Sequence, residues 1–436
     1  MKETNRSLSI DPNTGFCHET KIYYNLRPLI PLLPETLSLS VAAHFLSLLH
    51  SNHISPENTT AFIDAATGHH LSYSQFIHRI KALSTYLLTT IGLSRCDMAF
   101  ILSSFQLKSV VISPANPAST PSEISHQIEL RKPVIAFTMS PTASKLPSPF
   151  RRGMVLLDSS DFQSMMMTTT IGSKLDQDRI EVNHFDPAAI LYSSGMTGLV
   201  KGVVLSYRNL IALITGFYAL RQETAGYGLT ESAGAAARMF GPDEVKRYGS
   251  VGRVAENLEA KIVDPATGEP LPPGQRGELW LRGPIIMRGY AGDDKATAST
   301  LDPEGWLKTG DLCYFDSDGF LFIVDRLKEL IKYKAYQVPS AELEHLLQSH
   351  PEIADAAVIP RYPDEDEGQI PMAYTVRKPG SNLTEAQVMD FIAKQVAPYK
   401  KIRRVAFINS IPKSPAGKIL RRELVNRSLS ASSAKL

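Results

Sequence analysis

The feature that most constrains this chain lies near its middle. Residues 188–192 form a short apolar run that passes directly into a loop of small residues, 193–202, and then into a helical pattern from about Tyr207 to Leu220, with Ser206 at the N-cap position. Strand, Gly/Ser/Thr loop and helix in that order are the layout of a doubly wound α/β core. The first third of the chain agrees. Val41, Phe45, Leu48 and Leu49 share one helical face, and Phe76, Ile80, Leu83 and Leu87 repeat the spacing after a short strand near 61–63. Thr120-Pro121-Ser122-Glu123 is a capping box with Pro at the first helical position, and that helix ends before Pro133. Residues 134–138 and 154–158 read as further strands. The stretch 159–181 has neither period and reads as a surface connection.

After Ser250 the texture becomes β, with strands at 258–264, 277–282 and 321–325 and a hairpin turn at Asp316-Ser-Asp-Gly319. Beyond Asp325 comes a compact α+β unit: a helix at 341–348, strands at 356–359 and 372–376, a helix capped by Thr384 with Gln387, and a strand at 405–408. The expected division is a large α/β domain with a β-rich portion over 1–325, a small α+β domain over 326–425, and a flexible Ser/Ala-rich tail over 426–436.

Length and charge bound the function. A chain of 436 residues suits two to four domains, and 43% hydrophobic with 21% charged residues excludes a wholly disordered protein. Lys+Arg 46 against Asp+Glu 44 leaves +2, so no basic field calls for nucleic acid. The longest apolar stretch, 210–220, is too short to span a bilayer. The first twenty residues are polar, so no secretory signal is expected. Cys17, Cys96 and Cys313 are widely spaced and odd in number, which suits a reducing compartment. The chain finishes Ala434-Lys435-Leu436, a variant of the peroxisomal address read by an import receptor. Peroxisome is therefore the expected location, with cytoplasm as the alternative.

Five segments carry chemistry. In Tyr192-Ser-Ser-Gly-Met-Thr-Gly-Leu-Val-Lys201-Gly202, small residues let backbone N–H groups approach phosphate oxygens and one Lys supplies counter-charge. On spacing alone a flexible turn stands equally beside that reading. It is not a Walker loop, because Lys201 is followed by Gly202 rather than Ser or Thr, which disfavours a kinase or P-loop ATPase. Gly226-Tyr-Gly-Leu-Thr230-Glu231 reads as a tight turn offering a ring for base stacking, a hydroxyl, and a carboxylate for Mg²⁺. Trp306-Leu-Lys-Thr-Gly310-Asp311 offers a carboxylate after a Gly turn to a ribose. Asp325-Arg326-Leu-Lys328-Glu-Leu-Ile-Lys332-Tyr-Lys334 gathers cations at the domain join. Pro412-Lys-Ser-Pro-Ala-Gly417-Lys418 presents another Lys on a stiffened loop. Each of the last four is, in isolation, an ordinary surface segment.

In this order the five resemble the adenylate-forming superfamily, and within it 4-coumarate–CoA ligase and its peroxisomal ligase-like relatives in plants. The likeness runs from about residue 41 to 423. It implies a two-step acid–thiol ligase. A carboxylic acid attacks the α-phosphate of Mg·ATP to give an acyl-adenylate and pyrophosphate, and CoA then displaces AMP. By resemblance, Ser193, Ser194, Gly195, Met196, Thr197, Gly198 and Lys201 hold the triphosphate. Ala225, Gly226, Tyr227 and Thr230 border adenine and the α-phosphate, with Glu231 on Mg²⁺. Asp311 and Arg326 bind the ribose, and Lys332 and Gln337 contact the nucleotide. Lys418 is the catalytic residue between substrate carboxylate and α-phosphate. Lys328 is the hinge about which the small domain swings, and Lys334 with Ala335 borders the CoA tunnel. The cofactors implied are ATP, CoA and Mg²⁺.

The departures from the family are also specific. Only residues 221–225 separate the 207–220 helix from Gly226, where relatives have roughly a hundred residues, the size of a small domain. A smaller shortfall lies near 100–110, where 104–108 replaces a longer crossover. Met196, Val200, Ala225 and Ala335 stand where relatives carry Thr, Pro, Gln and Gly. Three functions follow as expectations: a ligase acting on a fatty, jasmonate-type or phenylpropanoid acid; a truncated isoform that binds nucleotide or a partner without turnover, favoured by the missing acyl-pocket wall; and, last, a luciferase-like oxygenase.

Overall fold

The computed structural model describes residues 9–37, 39–51, 57–65, 67–94, 97–102, 111–117, 119, 121–147, 149–167, 182–193, 201–219, 223–327, 329–333, 336–361, 369–396, 398–414 and 417–433. Its N-terminal half is built on a seven-stranded mixed sheet. The strands Met98–Leu102, Val111–Pro114, Ile135–Thr138 and Met154–Leu156 are parallel, and Pro187–Ser193 continues the parallel set beside Val111–Pro114. Lys201–Ser206 and then Gly289–Tyr290 complete it in antiparallel sense.

The parallel strands are continuous apolar runs because both faces are covered. Ala99 and Ile101 pack with Leu83, Leu87 and Phe162, while Phe100 and Leu102 pack on the opposite face with Ile124 and Leu146. The helices Tyr73–Thr89 and Ser160–Met167 therefore lie on one face and Pro121–Glu129 on the other, which is the doubly wound arrangement expected.

A second seven-stranded sheet has the order Phe16–Cys17, Ile22–Tyr24, Glu259–Val263, Gly277–Arg282, Leu307–Phe315, Leu321–Arg326, with Pro270–Leu271 beside Glu259–Val263. In Gly277–Arg282 the alternate residues Leu279 and Leu281 are buried, so one face meets the core and the other carries Glu278 and Arg282. A three-stranded sheet, Glu223–Gly228, Ala235–Phe240 and Arg253–Val254, joins the two larger ones through a shared core.

The C-terminal unit is α+β. Strands Ile353–Arg361, Ile370–Arg377 and Arg404–Phe407 carry helices Ser340–Gln348 and Glu385–Ala393 on one face and Arg421–Ser433 on the other. Thr384 and Gln387 form the expected reciprocal cap.

Four local readings need correction. Residues 193–202 do not lead straight into a helix: the chain turns back as the strand Lys201–Ser206, whose Val203, Val204 and Leu205 are buried, before the helix Tyr207–Ala219 begins. The Ser206 hydroxyl still accepts the Asn209 N–H at 3.2 Å, as an N-cap. Residues 160–167 are a helix pinned by buried Phe162, not a surface connection. Gly226 and Gly228 lie in a strand, not a turn, and Thr230–Ser232 is a single 3-10 turn. Arg421–Ser433 is one helix with Leu424 and Ser428 buried, so the expected loose tail is helical through Ser433. Among the described residues, no helix is long and apolar enough to cross a membrane.

Candidate active site

Asp311 is the centre of the first cluster. Antiparallel register sets it opposite Arg326, and the Arg326 Nε lies 3.1 Å from its Oδ1. The Tyr227 hydroxyl donates to Oδ2 at 2.5 Å. The carboxyl is only 2% exposed. Burial pushes its pKa up, opposed by the Tyr227 hydrogen bond and the Arg326 charge. Tyr227 is pushed up as well, first by burial and then by Asp311, so the phenol keeps its proton and donates it.

The segment before Asp311 is not the expected turn but part of the strand Leu307–Phe315, with an irregularity in its pairing to Gly277–Arg282. Gly310 adopts φ +72°, and its N–H donates to Glu278 Oε1 at 3.0 Å. The Thr309 hydroxyl donates to the Leu279 carbonyl at 2.7 Å and accepts the Asp311 N–H at 3.1 Å. A left-handed residue at this point is the conformational freedom glycine supplies.

The second cluster forms where Lys201 starts its strand opposite Ser193. Its amine lies 4.6 Å from the centre of the Tyr290 ring, and the Tyr290 hydroxyl donates to Glu231 Oε1 at 2.9 Å. Burial first, and Glu231 second, raise the Tyr290 pKa. The Glu231 carbonyl accepts the Met287 N–H at 2.8 Å, so the short helical turn is tied to the neighbouring segment. Tyr227 in the first cluster and Glu231 in the second are four positions apart, and one strand-to-turn segment serves both.

Tyr290 was not legible as a site residue. It sits in an undistinguished Arg-Gly-Tyr-Ala run and reaches Lys201 only because Val203 pairs with it across the sheet edge.

Lys418 comes from the C-terminal unit. Its loop is closed by the Lys413–Ile419 bridge, by the Ser414 N–H donating to the Lys418 carbonyl at 2.8 Å, and by Gly417 at φ +79°. Its amine pKa is lowered by burial first, then by Arg326 and Arg421, with Glu329 and Asp311 opposing. The residue itself stays exposed on its loop, and the charges that act on its amine include Arg326 and Asp311 of the other unit. Lys332 and Gln337 face each other across the hairpin Ile331–Tyr333/Tyr336–Val338, and the Lys332 N–H donates to Gln369 Oε1 at 2.7 Å. Ala225 pairs with Met239 in the strand before Tyr227. Ser194, Gly195, Met196, Thr197, Gly198, Lys328, Lys334 and Ala335 lie outside the described residues.

Comparison with known proteins decides the family. The AMP-binding enzyme model matches residues 50–225 and 218–291, and the AMP-binding enzyme C-terminal domain model matches 342–418. The chain belongs to the AMP-binding enzyme family. It is 44% identical to 4-coumarate--CoA ligase-like 9 of Arabidopsis thaliana over 565 positions, covering 100% of both chains. It is 37% identical to peroxisomal OPC-8:0-CoA ligase 1 of the same plant, covering 98% of this chain and 100% of that one. In fold it is similar to ATP-bound MatB from Rhodopseudomonas palustris, with TM-score 0.75 at 20% identity over 89% and 99% of the two chains. The anthranilate CoA ligase AuaEII in complex with anthranoyl-AMP gives TM-score 0.75 at 18% identity over 92% and 99%.

Membership makes this an acyl-CoA synthetase-type ligase. It is also an internally shortened member. An alignment of 565 positions less 436 residues leaves about 129 positions of the relative without a counterpart. The two matches to the family model meet and overlap at 218–225, where the long shortfall was expected. The strand Glu223–Gly228 next to that point pairs on one side only among the described residues, and Phe217 is 52% exposed. The parallel neighbours Met98–Leu102 and Val111–Pro114 are joined by residues 103–110 alone, consistent with the second shortfall.

Proposed function

We propose that this chain is a carboxylate–CoA ligase of the two-step kind. A substrate carboxylate oxygen attacks the α-phosphorus of ATP and pyrophosphate leaves. The CoA thiol then attacks the acyl carbonyl carbon of the adenylate, AMP leaves, and a thioester results. The support for this reading is the full-length similarity to CoA ligase-like relatives together with the buried Asp311, held by Arg326 at 3.1 Å and by the Tyr227 hydroxyl.

In this reading Asp311 accepts the ribose hydroxyls, while the Tyr227 hydrogen bond and the Arg326 charge oppose the effect of burial on its carboxyl. Lys201 and Ser193 flank the triphosphate, with residues 194–198 between them. Tyr227 and Thr230 border the base and the α-phosphate. Lys332, Gln337 and Ala225 complete the nucleotide contacts. Glu231 is a single carboxylate, and among the described residues no group of three or more ligating side chains could hold a metal ion. That suits Mg²⁺ arriving on the nucleotide phosphates, which needs only one or two protein carboxylates. Lys418, protonated, stabilises charge developing at the α-phosphate. Lys328 is the hinge, and Lys334 with Ala335 borders the CoA path.

The acid is of a peroxisomal kind, a fatty, jasmonate-type or side-chain-shortened phenylpropanoid acid. The support is the OPC-8:0 relative and the terminal Ala434-Lys435-Leu436. Import by the peroxisomal receptor is part of the same reading. The absent central positions favour a second reading, a chain that binds nucleotide without turnover.

Acid-dependent AMP formation by the parent chain separates the two, and Lys418→Ala then tests the residue. The ligase reading expects acid-dependent AMP formation to vanish while ATP binding by titration calorimetry survives. Turnover equal to that of the parent would overturn the role given to Lys418.

A further inference from the structure

The helix Ser340–Gln348 begins without a cap of its own. Its N-cap position is Pro339, which makes no side-chain hydrogen bond there. The cap comes instead from Asp325, in the strand Leu321–Arg326 of the large sheet. Asp325 Oδ2 accepts the Ala341 N–H at 3.2 Å, and Oδ1 accepts the Arg326 N–H at 2.7 Å. Asp325 is 5% exposed. A carboxylate at the first turn satisfies an otherwise orphaned donor and complements the helix dipole.

That helix is wired to the Lys418 loop. Glu344, one turn further along, accepts from Arg421 at 2.8 and 2.7 Å and from the Val358 N–H at 2.7 Å. Arg421 also reaches Glu329 at 2.8 Å. The Ser340 hydroxyl donates to the Glu329 carbonyl at 3.0 Å. Arg421 follows Lys418 by three positions, at the start of the helix Arg421–Ser433. A chain of hydrogen bonds and ion pairs therefore runs from the large sheet through Asp325, the capped helix and Glu344 to Arg421, three positions beyond Lys418.

We propose that Asp325 is a positioning residue: by capping the helix Ser340–Gln348 it holds the C-terminal unit, and with it the Lys418 loop, in this relation to the strands Leu307–Phe315 and Leu321–Arg326 that carry Asp311 and Arg326. The proposal rests on the ligase reading for its catalytic meaning but not for its geometry. Asp325 stands on one side of the join at 326–328 and Ala341 on the other, so the bond exists only while the two parts keep this relation.

The test uses the full chain and two readouts. The first is the reactivity of the Lys418 amine toward acetic anhydride as a function of pH, followed by peptide mass spectrometry. The charged groups that act on this amine are Arg326, Arg421, Glu329 and Asp311. Asp325→Ala is expected to move the pH midpoint of labelling up toward that of an ordinary lysine, so that below the midpoint the labelling rate falls at least threefold. Asp325→Asn, which keeps the shape and one acceptor, is expected to move it by less, and it serves if the alanine variant fails to fold. An unchanged midpoint in a folded variant overturns the proposal.

The second readout splits the half-reactions. Acid-dependent ATP–pyrophosphate exchange is expected to fall at least tenfold in Asp325→Ala, while thioester formation from preformed acyl-adenylate and CoA stays within twofold. Equal loss in both would mark a merely structural role and overturn the assignment. A parent chain that releases no pyrophosphate would count against the ligase reading alone, because the labelling comparison still decides Asp325.

Discussion

Removing the Arg421 guanidinium should expose how the C-terminal unit is held together. Arg421 is the cation shared by Glu344 at 2.7 Å and Glu329 at 2.8 Å, and the three side chains are only 18%, 10% and 17% exposed. Arg421→Met keeps much of the volume and leaves two carboxyls facing each other without counter-charge. Breaking a buried pair from one side costs about 3–5 kcal/mol, because the remaining charge is uncompensated. Glu344 already has its pKa raised to about 7, since burial outweighs the Arg421 charge and the Val358 N–H. Without Arg421 it rises further.

The sign with pH follows. A carboxyl whose folded pKa lies above its unfolded value contributes stability that is full below the unfolded pKa and is lost as pH rises through the folded one. In the parent the loss from Glu344 is complete just above pH 7. In the variant it continues to higher pH, so the gap between the two widens from pH 6 to pH 8.

Hydrogen exchange of the slowest amides in Ile353–Arg361 and Ile370–Arg377, corrected for intrinsic rates, reports this opening directly. The expected acceleration at pH 7 is about 10²- to 10⁴-fold, from about 1.4 kcal/mol per decade. Adding Glu344→Gln should restore most of it. Acceleration below about tenfold, flat with pH, would refute the reasoning.

Asp311→Asn should weaken ATP binding by about 10- to 100-fold, the worth of roughly 1.5–3 kcal/mol for hydrogen bonds to a charged group, and leave inorganic tripolyphosphate unaffected. Calorimetric titrations giving equal ATP affinity would remove Asp311 from the ribose. Gly310→Ala meets no atom within 4 Å but places a Cβ at φ +72°. The strain of about 1–2 kcal/mol should lower Tm by about 2–4 °C for a domain of this size, and a rise in Tm would contradict the left-handed backbone at this point of the strand.

What could be read from the sequence was what local chemistry determines. The apolar run at 134–138 had to be a buried strand. Asp316-Ser-Asp-Gly319 had to turn, and Thr384 with Gln387 had to cap a helix; each is found so. The strand Lys201–Ser206 escaped because its Val-Val-Leu core is as compatible with the lead-in to a buried helix as with an antiparallel return. Only pairing with Pro187–Ser193 settles it. The helix of three consecutive Met residues has no clean period, and its place depends on Phe162 finding the core formed by Leu83 and Leu87. The C-terminal helix was hidden by a Ser-rich composition that favours a loose tail, although Leu424 and Ser428 pack against the unit.

The site divides in the same way. Asp311, Arg326, Tyr227 and Lys418 stand out as motifs because the family resemblance carries them. Tyr290 and Glu278 do not, and Asp325 is legible only as the start of a basic segment, since each acts through a partner that only register or packing brings to it.

Pyrophosphate release by the purified chain, with a panel of fatty, jasmonate-type and phenylpropanoid acids, tests the central claim most directly. It should run beside a chimera in which the Arabidopsis relative supplies the missing positions between 221 and 226. Acid-dependent release by both, followed by thioester formation when CoA is added, is the predicted result. Release by the chimera alone, with ATP still bound by the parent chain, would contradict it and leave this protein a nucleotide binder.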